Sequence, residues 1–366
     1  MKNFRLKGLF FAAILVVSHI SFAGIKELKL SKGNQQELPN VPIVYSPHYN
    51  YGCFGLNYAL SFAHPFDLGK YKRVYAYLTG PVGLKTSQFY APKEQIAEED
   101  LLKVHTKSYL NSLKDSNVVA KIAEILPAAI VPNSVLQYIL LEPMRWAVAG
   151  TVLATELAMT HGWAINLGGG FHHAKEDSGS GFCVYGDIQL AILKALELNQ
   201  DNPDYKILIV DLDAHQGNGY EDALLSWKPI GNVFIYDIYN YDQREFPHDV
   251  KAKQAIDFDH PVYPSKDHIT DSLYLTLLKE TLPEAIETCK PDFIIYNAGT
   301  DIFEKDQLGH MKVSEKGIIE RDAFVFSTAT AKKIPLIMLL SGGYTKESAD
   351  IIGHSIENLL KTSLQK

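Results

Sequence analysis

The chain has 366 residues, of which 46% are hydrophobic and 21% charged, an ordinary balance for a globular protein with a sizeable core. Its formal charge of −7, without a cluster of Lys and Arg, argues against direct nucleic-acid binding. Three cysteines, Cys53, Cys183 and Cys289, are too few and too scattered for a disulfide framework or a cysteine-based zinc site. We expect Cys183 to be a small buried thiol.

The first 23 residues have the layout of a secretory signal peptide. A basic head precedes an apolar run over 8–17, and a small-residue cleavage site follows at 21–23. The run is short for a bilayer span; the alternatives are an uncleaved anchor or a buried first helix. We predict export to the periplasm or the exterior, no stable membrane span after processing, a polar linker over 24–40 and one folded domain over 41–366.

Apolar strands alternate with helices along this domain. Helices are predicted near 68–78, from 98 and at 187–198, and a last amphipathic helix closes the chain. The alternation predicts an α/β fold with a mainly parallel sheet covered by helices on both faces. Ligands in such sheets bind beyond the carboxyl ends of the strands. Strands are predicted at 41–45, 163–167, 206–210, 233–236, 293–296 and 334–340.

The strand at 206–210 runs directly into a group of acidic and imidazole side chains. Asp211, Asp213 and His215 occupy every second position, so an extended backbone places them on one face. A buried sheet has few ways to hold two carboxylates, and a metal ion is one of them. The alternative is that both carboxylates merely cap the next helix or satisfy loop amides, and that His215 is a hydrogen-bonded core residue.

Three other strands also end in loops whose side chains could bind a metal ion or transfer a proton. Asp301 follows one strand, two adjacent histidines follow Gly168-Gly169-Gly170, and Tyr344 follows two glycines. Asp213, His215 and Asp301 form a three-ligand set that leaves a position open, as catalytic metal sites do. Oxygen and nitrogen donors fit Zn²⁺, and Fe²⁺ is a second candidate.

Taken together, these segments resemble the zinc-dependent histone deacetylase family, and its class IV branch most of all. The similarity extends over essentially everything from Val41 onward, and five motifs in the same order are far more specific than one. The motifs are Gly168-Gly169-Gly170-Phe171-His172-His173, Ser180-Gly181-Phe182-Cys183, Asp211-Leu212-Asp213-Ala214-His215-Gln216-Gly217-Asn218-Gly219, Asn297-Ala298-Gly299-Thr300-Asp301 and Ser341-Gly342-Gly343-Tyr344.

The resemblance implies a fold and a metal. The fold is a single three-layer domain of the arginase/deacetylase type. Asp213, His215 and Asp301 correspond to the zinc ligands. A structural potassium ion is also common in the family, and here it would bind the backbone carbonyls of Asp211, Asp213 and His215.

The resemblance also implies catalytic roles. His172 corresponds to a histidine steered by a buried carboxylate, here Asp211. His173 corresponds to the general base and acid, and Tyr344 to the tyrosine that polarises the acyl carbonyl. Class I enzymes pair the second histidine with an aspartate, whereas this chain has Asn218. Without that carboxylate we expect His173 to stay neutral near pH 7.

A tunnel for the acylated lysine is implied as well. Phe182 and Phe246 would form its walls, with Gly170 beside them and Leu308 at the rim. Ser341 stands where many relatives have glycine, a change that we expect the fold to tolerate.

These residues favour metal-dependent hydrolysis of Nε-acyl-lysine in proteins or peptides, with acetyl and long-chain fatty acyl groups both open as substrates. One alternative is hydrolysis of acetylpolyamines or other small amides at the same site. Another is an acyl-lysine binder without catalytic activity, which a complete set of catalytic residues disfavours.

Overall fold

The computed structural model describes residues 40–51, 67–227 and 232–362. The predicted signal peptide, the linker up to residue 39 and Cys53 lie outside the described residues. Among the described helices, none combines the length and the apolar character needed to cross a bilayer.

Seven parallel strands form one central sheet in the order β1-β2-β7-β6-β3-β4-β5. Every residue of the three central strands β7, β6 and β3 is buried, as expected for aliphatic strands covered on both faces. The strands are β1 (Ile43–Val44), β2 (Trp163–Asn166), β3 (Ile207–Asp211), β4 (Val233–Asn240), β5 (Phe258–Val262), β6 (Phe293–Asn297) and β7 (Leu336–Leu339).

Helices precede and connect the strands. Four short 3₁₀ segments lie at Pro47–Tyr49, Thr86–Gln88, Leu126–Ile130 and Ala252–Ala255, and a π-helical turn at Gln137–Leu141 joins α5 to α6. The α-helices are α1 (Lys70–Thr79), α2 (Glu98–Leu101), α3 (Lys107–Ser112), α4 (Ser116–Ile122), α5 (Asn133–Leu136), α6 (Glu142–His161), α7 (Asp187–Leu198), α8 (Asn218–Ser226), α9 (Asp271–Cys289), α10 (Glu315–Ala331) and α11 (Ser348–Thr362).

Alternate residues of each strand face opposite helical layers. Ile207 and Ile209 share one buried cluster with side chains of α6 and α7, whereas Leu208 and Val210 share another with side chains of α9 and α10. Each fully buried aliphatic side chain contributes about 1.5–3 kcal/mol relative to exposure. The predicted three-layer α/β fold with a parallel sheet is therefore confirmed, and its layers hold the carboxyl ends of the strands in fixed register.

Several predicted boundaries need correction. Strand β5 was not predicted, because only Val262 of this edge strand is buried and Pro261 interrupts the apolar pattern. Strand β4 continues to Asn240 because its last three residues are buried and pair with β5. The helical stretch predicted from 98 is divided: α2 ends at Leu101, and Thr106 caps a new helix by accepting a hydrogen bond from the Tyr109 N–H.

Candidate active site

Neighbouring strands bring the three predicted metal ligands together. β3 and β6 pair in register, with Asp211 opposite Asn297, so the loops that follow them start at the same edge. His215 Nδ1 lies 3.0 Å from Asp213 Oδ1 and 2.9 Å from Asp301 Oδ2. One candidate ligand atom from each of the three buried residues lies within 4.8 Å of the other two. The group can therefore hold one metal ion.

The charges of this group fit a divalent cation. Burial, with Asp213 alongside, raises the pKa of the Asp301 carboxyl to about 7. Burial also opposes charge on His215, but hydrogen bonds to Asp213 and Asp301 raise the pKa of its ring well above the usual range. Two buried carboxylates at this separation need positive charge between them. Two carboxylates and an imidazole, without thiolate, form a donor set that suits Zn²⁺.

Backbone amides fix the two ligand carboxylates. Asp301 Oδ1 accepts a hydrogen bond of 2.8 Å from the Ala214 N–H, and Asp213 Oδ2 accepts one of 2.8 Å from the Gly342 N–H. The Ser341 hydroxyl lies 2.9 Å from the same Asp213 oxygen. Such outer contacts orient metal ligands and tune their affinity.

His172 is held by a buried carboxylate. Its Nδ1 lies 3.0 Å from Asp211 Oδ2, and Asp211 also accepts hydrogen bonds from the Tyr220 hydroxyl and the Asn297 amide. Burial alone lowers the pKa of His172, but Asp213 and Asp211 raise it to about 9. The two carboxylates therefore favour the protonated form of the His172 imidazole.

His173 has a different environment although its ring centroid is only 4.0 Å from that of His172. Its Nδ1 lies 2.9 Å from Asn218 Oδ1, as the sequence comparison with class I enzymes suggested. Burial, followed by the charges of His172 and His215, lowers the pKa of His173 well below its usual range. The two adjacent histidines thus have pKa values pushed apart, the arrangement that separates an acid from a base.

The amide of Asn218 fixes the tautomer of His173. Asn218 Nδ2 lies 3.4 Å from Asp249 Oδ2, and Lys175 Nζ donates to that same carboxylate at 2.7 Å. An amide nitrogen directed at a carboxylate turns its oxygen towards His173, which must then donate from Nδ1. The lone pair of a neutral His173 is consequently on Nε2.

Tyr344 approaches the group from the loop after β7. Its ring lies 6.1 Å from the His215 ring at an interplanar angle of 90°, and its backbone N–H donates to Asp306 Oδ2 at 2.8 Å. Burial, with the nearby Asp213 and Asp301 carboxylates, raises the pKa of the phenol well above its usual range. The hydroxyl therefore remains protonated and able to donate a hydrogen bond.

The structure places some of the predicted tunnel residues, but not all of them, beside the catalytic residues. The Phe246 ring lies 4.9 Å from the His173 ring and is 40% exposed, as a residue at an entrance would be. Phe182 and Gly170 line a cavity beside His172 and Tyr344. Leu308 is partly buried in the loop after Asp301, and its place at the rim stays a prediction. Cys183 lines the same cavity as a free, buried thiol.

Two buried charged residues that were not predicted support these loops. Lys70 is fully buried, and its Nζ donates to the carbonyls of Ser341 at 2.6 Å and Gly342 at 3.0 Å. Asp187 accepts 2.8 Å hydrogen bonds from the N–H groups of Gly170 and Phe171. Both residues lie in the first turn of a helix, where a charged side chain usually indicates solvent exposure.

The fold and the residues gathered at its edge define an α/β domain of the arginase/deacetylase type. A family model described as the histone deacetylase domain matches residues 64–360, so the chain belongs to that family. It is 44% identical to histone deacetylase 2 of Arabidopsis thaliana over 328 residues, covering 89% of this chain and 80% of the relative.

A further relative and a solved structure are also similar to this chain, and the latter shows the same fold. The acetoin utilization protein AcuC of Staphylococcus aureus is 29% identical, with 85% of this chain and 78% of the relative covered. The crystal structure of the HDA15 HD domain matches with a TM-score of 0.67 at 18% identity, covering 89% of this chain and 90% of that one. The expected family and fold are confirmed, and the family supports a deacetylase function.

Proposed function

We propose that this chain is a zinc-dependent hydrolase that removes acyl groups from the Nε-amine of lysine in proteins or peptides. The observation that carries the proposal is one arrangement: a buried Asp-His-Asp group faces two histidines of opposite proton affinity and the phenol of a tyrosine. The assignment to class IV is part of the proposal and is supported by the motif pattern.

The chain supplies a base, an acid and an oxyanion donor. A divalent ion held by Asp213, His215 and Asp301 would supply Lewis-acid activation of water and of the acyl carbonyl. His173 accepts the proton of the attacking water at Nε2 because its Nδ1 hydrogen is donated to Asn218. Breaking the amide bond requires a proton for the leaving lysine amine, and one of the two histidines delivers it.

Tyr344 completes the set of groups that act on the substrate. Its phenol stays protonated beside the carboxylates and donates a hydrogen bond to the oxygen on which negative charge develops. A single preorganised donor of this kind contributes about 2.7–4 kcal/mol to the lowering of the barrier.

Assays on an acyl series test this proposal. The chain loaded with Zn²⁺ is given one peptide carrying acetyl-lysine, the same peptide carrying myristoyl-lysine, and an acetylated polyamine. We expect turnover of at least one acyl-lysine peptide. Metal-loaded protein that hydrolyses neither peptide contradicts the proposal, and a preference for the polyamine supports the small-amide alternative instead.

Two further proposals accompany this one. A potassium ion would bind the backbone carbonyls of Asp211, Asp213 and His215, which thermal unfolding in potassium and in sodium buffers would test. Export is proposed from the pattern over residues 1–23. For an exported enzyme, a histone substrate does not follow from the family name alone. N-terminal sequencing of protein from separated cell fractions would show whether the chain is cut after Ala23.

A further inference from the structure

Ser341 has a backbone conformation that serine rarely adopts. Its φ angle is +47°, in the left-handed region, and the residue is buried. A side chain at such an angle costs free energy that glycine avoids. A strained backbone conformation persists only where surrounding contacts compensate for it, and such residues cluster at active sites.

The Ser341 hydroxyl has two acceptors within reach, and both belong to the site. Oγ lies 2.9 Å from Asp213 Oδ2 and 3.1 Å from the carbonyl oxygen of Gly170. A hydroxyl has one hydrogen, so it donates to one of these acceptors at a time. The charged carboxylate is the stronger acceptor, which favours the bond to Asp213.

The contact holds one particular oxygen of the ligand. Asp213 Oδ2 accepts from the Ser341 hydroxyl and from the Gly342 N–H, whereas Oδ1 lies 3.0 Å from His215 Nδ1. The two donors on Oδ2 fix the rotation of the carboxylate. Oδ1 is thereby left directed at the other members of the Asp-His-Asp group.

The surroundings hold Ser341 in this position. Lys70 Nζ donates to the carbonyls of Ser341 and Gly342, so the backbone of the loop is anchored from the opposite side. Gly170 lies directly against Ser341, since a Cβ built on Gly170 would come within 2.9 Å of the serine Cβ. These contacts fix the backbone of Ser341 and hold its Cβ against Gly170, which keeps Oγ within reach of Asp213.

We propose that Ser341 is a positioning residue for the metal ligand Asp213, and that the chain retains an unfavourable backbone angle in exchange for this hydroxyl contact. The inference rests on the metal site proposed above. It differs from the expectation that serine here is merely tolerated in place of glycine.

Two substitutions separate the hydroxyl from the backbone strain. Ser341→Ala removes the hydroxyl and keeps the Cβ, whereas Ser341→Gly removes the hydroxyl and also relieves the strain. Lys333, exposed and with φ +57°, provides the matched control pair Lys333→Ala and Lys333→Gly away from the site. Zn²⁺ affinity is measured by competition with a chromophoric chelator, and the visible absorption of the Co²⁺-loaded protein reports ligand geometry.

We expect both Ser341 variants to bind Zn²⁺ about 10-fold to 100-fold more weakly than the wild type, because each loses the hydroxyl that orients a metal ligand. Their Co²⁺ spectra should differ from that of the wild type, and both Lys333 variants should match it. In thermal unfolding, the Tm of Ser341→Gly should be higher than that of Ser341→Ala. The difference should be about the same as that between Lys333→Gly and Lys333→Ala.

Two results would overturn the inference while leaving the proposed function intact. In the first, both Ser341 variants retain wild-type affinity and spectrum, so the hydroxyl does not position the ligand. In the second, only Ser341→Ala loses affinity, so backbone conformation matters and the hydroxyl does not. A wild-type chain that binds no divalent ion at all would overturn the inference and the proposed function together.

Discussion

Replacing Asn218 by aspartate should shift the proton affinity of the proposed base. The substitution is nearly isosteric and sets a negative charge where Asn218 Oδ1 lies, 2.9 Å from His173 Nδ1. Two unit charges about 4 Å apart interact by about 4 kcal/mol at an effective dielectric constant of about 20. At 1.36 kcal/mol for each pKa unit, this interaction alone corresponds to a rise of about three units.

Neighbouring charges reduce that value. Asp249 Oδ2 lies 3.4 Å from Asn218 Nδ2, so the new carboxylate faces another carboxylate and resists ionisation. Lys175, at 2.7 Å from Asp249, offsets part of this repulsion. We therefore expect the pKa of His173 to rise by about one to two units, within the usual range for an added opposite charge.

The sign of the effect on the rate follows from the role of a base. His173 must be neutral to accept a proton, so a higher pKa moves the acid limb of the kcat/KM profile to higher pH and lowers the rate on the acid side of that limb. The assay is kcat/KM against pH for the Zn²⁺-loaded wild type, Asn218→Asp and Asn218→Ala. The alanine variant should lower kcat without an upward shift of the limb. An unchanged limb in Asn218→Asp, with metal bound, would refute His173 as the base.

Three other substitutions test separate parts of the site. Tyr344→Phe should lower kcat about 100-fold to 1,000-fold while Zn²⁺ affinity is retained. If the protein were a binder without catalytic activity, the wild type would show no turnover and the variant would keep its affinity for acyl-lysine peptide. Lys70→Met leaves two buried carbonyls without their donor and should destabilise the fold by about 1–3 kcal/mol for each in urea unfolding. The exposed Lys72→Met in the same helix is the control and should have little effect. Asp187→Asn weakens the acceptor of two loop N–H groups and should cost about 1–3 kcal/mol by the same measurement; equal stability would show that the loop does not depend on the charge.

The regular parts of the fold could be predicted because their signal is local. Aliphatic runs such as the one in β3 identify buried parallel strands, and parallel strands bring their following loops to one edge. The edge strand β5 lacked that signal because only one of its residues, Val262, is buried and because it contains Pro261. Its pairing with β4 depends on tertiary context that no local pattern contains.

The reactive side chains could likewise be predicted, whereas their supports could not. Asp213, His215 and Asp301 follow strands in a recognisable spacing. Lys70 reaches carbonyls 271 and 272 residues away, and nothing in its own segment indicates that it is buried. Ser341 appeared to be a neutral replacement because its hydroxyl contact and its φ angle exist only in three dimensions.

The order of strands in the sheet has a consequence for how the site comes into being. β3, β6 and β7 are neighbours at the centre, yet they are far apart along the chain. A polypeptide that ended before β7 would retain Asp213, His215 and Asp301 and would lack both Ser341 and Tyr344. The proposed active site would therefore be complete only when β7 and the loop after it have joined the sheet. This happens late in synthesis, after the long-range pairing of strands.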